Sequence, residues 1–227
     1  MLRKLLYAVL VLGILPTVVL AVPLTGFRVT DSGNTQIVAQ DGWSYGSGGL
    51  KITWNITDNL DGTWTYRYTL TAPDGGTLER LPAHMLVELS DLNIALQPSD
   101  LPTSTDWSTQ PGNSNPGLPG SLLGVKLDFG SDDFVEFTAD KAPMWGDFYA
   151  KDGVEMIHLG PHNNVKIDCF AYNAGFGIDP TGAASFDPWI AVPDAPVPQN
   201  VIPEPTTVAL LGIGLCGLLL GRKRKLV

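Results

Sequence analysis

The sequence predicts an all-β chain folded as an antiparallel β-sandwich, with a jelly roll among the arrangements open to it. Three observations carry this expectation. Apolar residues recur with period two, turn residues separate those runs at short intervals, and residues 22 to 188 lack the caps and 3.6-residue period of a sizeable helix. The clearest stretch is GLKITWNITDNLDGTWTYRYTLTAPDGG. Leu50, Ile52, Trp54 and Ile56 alternate with Lys51, Thr53, Asn55 and Thr57, then Trp64, Tyr66, Tyr68 and Leu70 alternate with Thr63, Thr65, Arg67 and Thr69. Two half-buried antiparallel strands follow, joined by a turn over residues 58–62 in which Gly62 supplies a positive φ.

Further strands are expected over residues 35–40, 84–90, 122–129, 134–139, 145–150, 154–159 and 165–172. One stretch, QPSDLPTSTDWSTQPGNSNPGLPGS over residues 97–121, interrupts this rhythm with Pro, Gly, Ser, Thr and Asn. Connections of that length are either mobile or functional. Its one large aromatic, Trp107, either pins the loop to the domain or presents a flat face to a sugar ring. Beyond residue 187, prolines at 188, 193, 196, 198 and 203 read as an extended stalk over residues 188–202. The expected domain therefore spans residues 22–187.

Of 227 residues, 14 are Lys or Arg and 23 are Asp or Glu, a net charge of −9. Six of the cations, Arg3, Lys4 and the 222–225 run, lie outside the central region, which holds 22 acidic against 8 basic residues once Glu204 is also set aside. Such a surface repels a phosphate backbone, so nucleic acid is not an expected partner. Solubility accounts for the excess; calcium is the one cation that it would suit, and no other cofactor is expected.

The N-terminus, MLRKLLYAVLVLGILPTVVLAVPLTG, places two cations before an apolar run over residues 5–20 and small residues at Val19 and Ala21. This is the order of a secretory signal peptide, residues 1–21, with cleavage after Ala21; an uncleaved anchor is the alternative. At the other end, residues 206–221 carry no charge and suit a transmembrane helix. Sixteen residues at about 1.5 Å each reach roughly 24 Å, short of a hydrocarbon core of roughly 30 Å. The flanking Arg222, Lys223, Arg224 and Lys225 place the C-terminus in the cytoplasm and the central domain outside it.

Pro203, Glu204 and Pro205, a short glycine-containing apolar helix and a terminal basic cluster, in that order, resemble the PEP-CTERM sorting signal of Gram-negative bacteria. The resemblance covers about the last 25 residues. It implies recognition by an exosortase, a membrane-embedded processing protease, with the precursor in the inner membrane and the product at the cell surface, secreted, or in extracellular polysaccharide. Pro203, Glu204 and Pro205 would be substrate in that reaction. Prolines on both sides of Glu204 hold the chain extended where a protease cleft needs it and stop the helix there. An ordinary tail anchor on a proline-rich stalk is the alternative.

Catalytic constellations are poor. His84 falls in a strand pattern, and Gly160-Pro161 between His158 and His162 forbids the helix that would align them on zinc. Asp58, Asn59 and Asp61 resemble half a calcium loop but fit a hairpin turn better. Asp128, Asp132, Asp133, Glu136 and Asp140 cluster around one strand, as a solvated edge or a cation site. Residues 171–177 read as a turn and lack nucleotide-loop context. Cys169, in KIDCFAY, reads as a buried small hydrophobe, and Cys216 in the apolar tail cannot pair with it. No catalytic residue is expected. The sequence favours a non-enzymatic surface or matrix protein with a structural or carbohydrate-binding role, and a secreted hydrolase on the same scaffold is the alternative.

Overall fold

The structure, a computed structural model, describes residues 24–89, 94–101, 105–107, 115–152, 155–158, 164–180 and 183–193. Strands there follow one another as β1 Leu24–Val29, β2 Ile37–Ala39, β3 Lys51–Asp58, β4 Trp64–Thr71, β5 Pro82–Glu88, β6 Leu96–Gln97, β7 Thr105–Trp107 and β8 Leu122–Asp128. They continue as β9 Phe134–Ala139, β10 Pro143–Gly146, β11 Phe148–Asp152, β12 Glu155–His158, β13 Asn164–Ile167, β14 Phe170–Asn173 and β15 Ile190–Pro193. The only helical element among the described residues is a 3-10 turn, Asp41–Trp43.

The alternation in β3 and β4 dictates the first sheet. Antiparallel pairing sets Ile52 against Leu70, Trp54 against Tyr68 and Ile56 against Tyr66, so all six apolar side chains share one face. That face is buried. The turn between these strands has Leu60 at φ 61° and Gly62 at φ 89°. Asp58 Oδ1 accepts from the Leu60 N–H at 2.8 Å and Asp61 Oδ1 accepts from Thr63 N–H at 3.0 Å, which accounts for those acids as turn formers.

Strand order is β1-β3-β4-β9-β6 in the first sheet and β2-β14-β11-β5-β8-β7 in the second, with β10-β15 and β12-β13 as separate two-stranded ribbons. Every described ladder is antiparallel. The two large sheets face each other across one core. Ile52, Trp54, Tyr66, Tyr68 and Phe137 of the first meet Met85, Val87, Val125, Leu127 and Phe148 of the second. A fully buried side chain of this kind contributes about 1.5–3 kcal/mol by leaving water. Tyr66 and Phe137 stack at 5.4 Å, and the tyrosine hydroxyls are not orphaned: Tyr66 donates to Lys141 O at 2.7 Å and Tyr68 to Ala191 O at 2.8 Å.

Four boundaries differ from the sequence reading. The strand expected over 145–150 changes sheet at Asp147, because β10 pairs with β15 while β11 joins the second sheet between β5 and β14. The run 165–172 likewise divides into β13 and β14 around Asp168 and Cys169. The Pro-rich stretch 97–121 contains a strand, β7, whose Trp107 is in register with Leu122. The stalk expected from Pro188 does not begin there. Trp189, Ile190, Ala191 and Val192 are buried and β15 pairs with β10, so the domain continues at least to Pro193. Four apolar residues there outweigh the flanking prolines, which occupy strand ends where Pro is tolerated.

Candidate functional site

At one end of the sandwich the chain leaves β10 and enters β11 through Asp147, beside the end of β5. Glu88 N–H donates to Asp147 O at 3.0 Å and Asp147 N–H donates to Glu88 Oε2 at 2.7 Å, so this backbone crossing draws two carboxyl groups into one place. Asn173, at the end of β14 and fully buried, completes the knot. Its Oδ1 accepts from Phe148 N–H at 2.9 Å, while its Nδ2 donates to Asp147 Oδ1 at 2.7 Å and to Pro188 O at 2.9 Å. Asp147 Oδ2 accepts from Gly177 N–H at 2.7 Å. Both oxygens of Asp147 are therefore committed to holding the turn that follows β14. Residues 171–177 are, as expected, strand end and turn, with Gly177 at φ 74°.

A cleft of about 230 Å³ opens over this knot, lined among others by Glu88, Trp145, Asp147, Ile178, Asp179 and Trp189. Trp189 is seated by its indole N–H, which donates to Ile178 O at 3.1 Å, and by Gly175, where any Cβ would come within 2.5 Å of the ring. Trp145 stacks on Phe186 at 5.5 Å, and the Arg28 guanidinium lies 5.4 Å from the Trp145 ring and 5.1 Å from Trp54. Among the described residues that line the cleft there is no Lys, Arg or His. Burial, then the charge of Asp147, pushes the Glu88 carboxyl up to about 7, and the Asp147 N–H pulls it partly back. Burial pushes Asp147 up to about 6 against the opposing hydrogen bonds from Gly177 and Asn173.

The residues singled out from sequence do not meet at this cleft. Trp107 is in β7, and its side chain lies outside the described residues, as do Pro203, Glu204, Pro205, the 206–221 segment, Arg222, Lys223, Arg224, Lys225, Cys216, His162 and the 1–21 segment. His84 is buried on the outward face of the second sheet, 2.7 Å from Asn115 Oδ1 through its Nε2, and burial pushes its pKa down to about 4. The acidic cluster is dispersed among separate partners: Asp128 pairs with Lys126 at 2.7 Å, Glu136 with Arg67 at 3.3 Å, and Asp140 accepts from Ala95 N–H at 3.1 Å. Its strand, β9, pairs along its length with β4 on one side and, on the other, with β6 only at Thr138 and Ala139, so Glu136 stands on a stretch that β6 does not cover. Cys169 is buried, and burial pushes its thiol up to about 12. Among the described residues no three His, Cys, Asp or Glu side chains stand together in a way that would hold a metal ion.

Glu88, Asp147, Asn173 and Trp189 carry no motif. The one sequence sign is Gly146-Asp147 interrupting the apolar run MWGDFYA, a polar residue where alternation leaves no solvent face for it.

Residues 201–225 match the family model of the PEP-CTERM protein-sorting motif. The chain carries a PEP-CTERM sorting signal. This signal marks an exosortase substrate, held at the membrane as a precursor, then processed and exported to the cell surface. The match covers the tail alone, and the chain matches no curated protein and no solved structure. Among the described residues no helix is long and apolar enough to cross a membrane.

Proposed function

We propose that the PEP-CTERM protein is a non-catalytic component of the cell surface or matrix whose β-sandwich binds polysaccharide after exosortase processing. The observation that carries this reading is the state of Asp147. Glycoside hydrolysis by paired carboxyl groups needs both facing the bond to be cut, one as acid and the other as base or nucleophile. Here one of the pair spends both oxygens on Asn173 and Gly177. What is left is a cleft with apolar walls and a few convergent polar groups, the composition of a binding site.

A secreted hydrolase is the second reading, and Glu88 favours it, because a carboxyl raised to about 7 can donate a proton near neutrality. One experiment separates the two: retention of the purified protein on a panel of bacterial polysaccharides, run beside a broad glycosidase screen. Retention without turnover is the expected result. Turnover that disappears in Glu88→Gln would establish the hydrolase instead.

A further inference from the structure

We infer that the first sheet continues from one copy of the chain to the next, the outer edge of β1 in one molecule pairing with the uncovered stretch of β9, residues 134–136, in another. This contact is independent of the polysaccharide-binding reading, since it concerns the edges of the first sheet and not the cleft.

Hydrogen-bond alternation defines both edges, because successive residues of an antiparallel strand turn their backbone groups to opposite sides. Thr30 N–H donates to Leu50 O at 2.9 Å on the β3 side, so Thr25, Phe27 and Val29 turn theirs outward. There the fold's own side chains meet two of these groups: Arg28 Nη1 donates to Phe27 O at 2.8 Å, and Val29 N–H donates to Gln36 Oε1 at 3.1 Å. On β9, Leu70 N–H donates to Asp133 O at 2.8 Å on the β4 side, and Asp140 N–H donates to Ala95 O at 3.2 Å on the other. Phe134 and Glu136 therefore face away from β4. Strand β6 pairs with β9 only at Thr138 and Ala139, and the chain then turns, Leu101 N–H donating to Pro98 O at 3.2 Å. Among the described residues no backbone group meets those of Thr25, Phe134 or Glu136 on their outer side. Such an edge is a template for another strand.

The two edges fit each other. Pairing is antiparallel from β1 to β3, from β3 to β4 and from β4 to β9, so β1 and β9 run in opposite directions within one molecule. A second copy added without turning over brings its β1 antiparallel to β9 and keeps core face beside core face. The cross-strand rows continue as well. Phe27, Thr53, Thr69 and Phe134 are in register across the four strands, as are Thr25, Asn55, Arg67 and Glu136. Extending both rows sets Thr25 of the next copy opposite Glu136 and its Phe27 opposite Phe134, outward residue to outward residue. Thr25 and Glu136 then exchange two hydrogen bonds, and Phe27 N–H donates to Phe134 O. The same register places two aromatic rings side by side on the outer face, where Phe27 is 53 % exposed.

Charge agrees with this order. The adjoining row, Val29, Lys51 and Thr71, runs on toward the exposed Asp132 and Asp133 at the start of β9. Lys51 Nζ lies 4.8 Å from the Phe27 ring and forms no ion pair among the described residues, so the acidic edge of one copy meets a cation on the next. Asp31, which follows β1, is occupied by the N–H groups of Gly33 and Thr35. Because the two edges differ, the contact is head-to-tail and leaves a free edge at each end, which builds an open row of copies and not a closed dimer.

The test uses the exported protein, purified from the surface fraction. In sedimentation velocity the share of species larger than a monomer grows with concentration, and Thr25→Pro, which removes an outward N–H and no bond between β1 and β3, leaves the monomer alone. In a Cys216→Ser background, oxidation of the double variant Thr25→Cys/Glu136→Cys gives a ladder of disulfide-linked copies, since a hydrogen-bonded antiparallel pair stands about 5.5 Å apart between Cα atoms, within reach of a disulfide. Mixing the two single variants gives a dimer and nothing longer. Were Thr25→Pro to misfold, the cysteine variants decide alone. A wild-type chain that stays monomeric at every concentration, association untouched by Thr25→Pro, no ladder from the double variant, or dimers formed as readily by Thr25→Cys alone would each overturn the inference.

Discussion

The Tyr68 hydroxyl, fully buried in the middle of the first sheet, donates a 2.8 Å hydrogen bond to the carbonyl of Ala191 in the last described strand. The core is thus fastened to the segment that leads into the sorting signal. Residues 189–192 complete the hydrophobic interior. A chain ending after Asp187 lacks them, so it should lose cooperative unfolding or melt far below a chain ending after Pro193. Tyr68→Phe in the longer chain should cost about 1–2 kcal/mol, because one net hydrogen bond is removed and a buried carbonyl loses a donor. Urea denaturation of the three proteins checks both statements; equal midpoints for the two truncations would contradict them.

Stability should fall as pH rises from 5 to 7.5. Glu88 and Asp147 have folded-state values of about 7 and about 6 against ordinary values of 4.5 and 3.8, so the folded chain binds more protons than the unfolded one across this window. Their contribution is fully present below the ordinary values and is lost as pH passes through the folded ones. His84, held neutral with a value of about 4 against 6.5, has the opposite sign and offsets one of the two carboxyl groups below pH 6.5. Melting temperatures across the range read the sum, and Glu88→Gln should flatten the decline. A wild-type melting temperature that rises steadily to pH 7.5 would show that the two carboxyl groups are not protonated in the fold.

Gly26→Ala should destabilise the protein by about 1–3 kcal/mol, the usual cost of overpacking. In β1 this glycine is in register with Trp54, and a Cβ there would come within 2.2 Å of the indole ring. Trp54 is buried and in edge contact with Trp145, so it has no room to retreat. Thermal denaturation of the single variant tests this, with Gly62→Ala as the comparison. There φ is 89° but nothing lies within 4 Å, so any loss at that position comes from backbone conformation alone.

How much of this was legible in the sequence depends on whether the signal was local. The hairpin of β3 and β4 was, because Ile52, Trp54, Ile56, Tyr66, Tyr68 and Leu70 alternate within one stretch and Gly62 marks the turn. The tail was too, because its three parts stand in order within 25 residues. The cleft was not. Glu88, Asp147 and Asn173 lie far apart in the chain and meet only because β11 runs between β5 and β14 in the second sheet. Strand β15 was hidden for another reason. Its four residues carry a proline at one end and follow another, and composition alone cannot tell an edge proline from a stalk.

Delivery of this sandwich by a PEP-CTERM signal would leave its mark on the covalent structure of the mature protein. Replacing Pro203, Glu204 and Pro205 by alanines should leave an anchored, uncleaved precursor. Neutralising Arg222, Lys223, Arg224 and Lys225 should instead weaken retention at the membrane by removing the inside-facing charge. The most direct measurement is mass spectrometry of the protein recovered from the surface fraction. The expected species contains Pro193 and lacks the apolar segment over residues 206–221. An intact C-terminal Val227 on the mature protein would mean a permanent anchor and would contradict it.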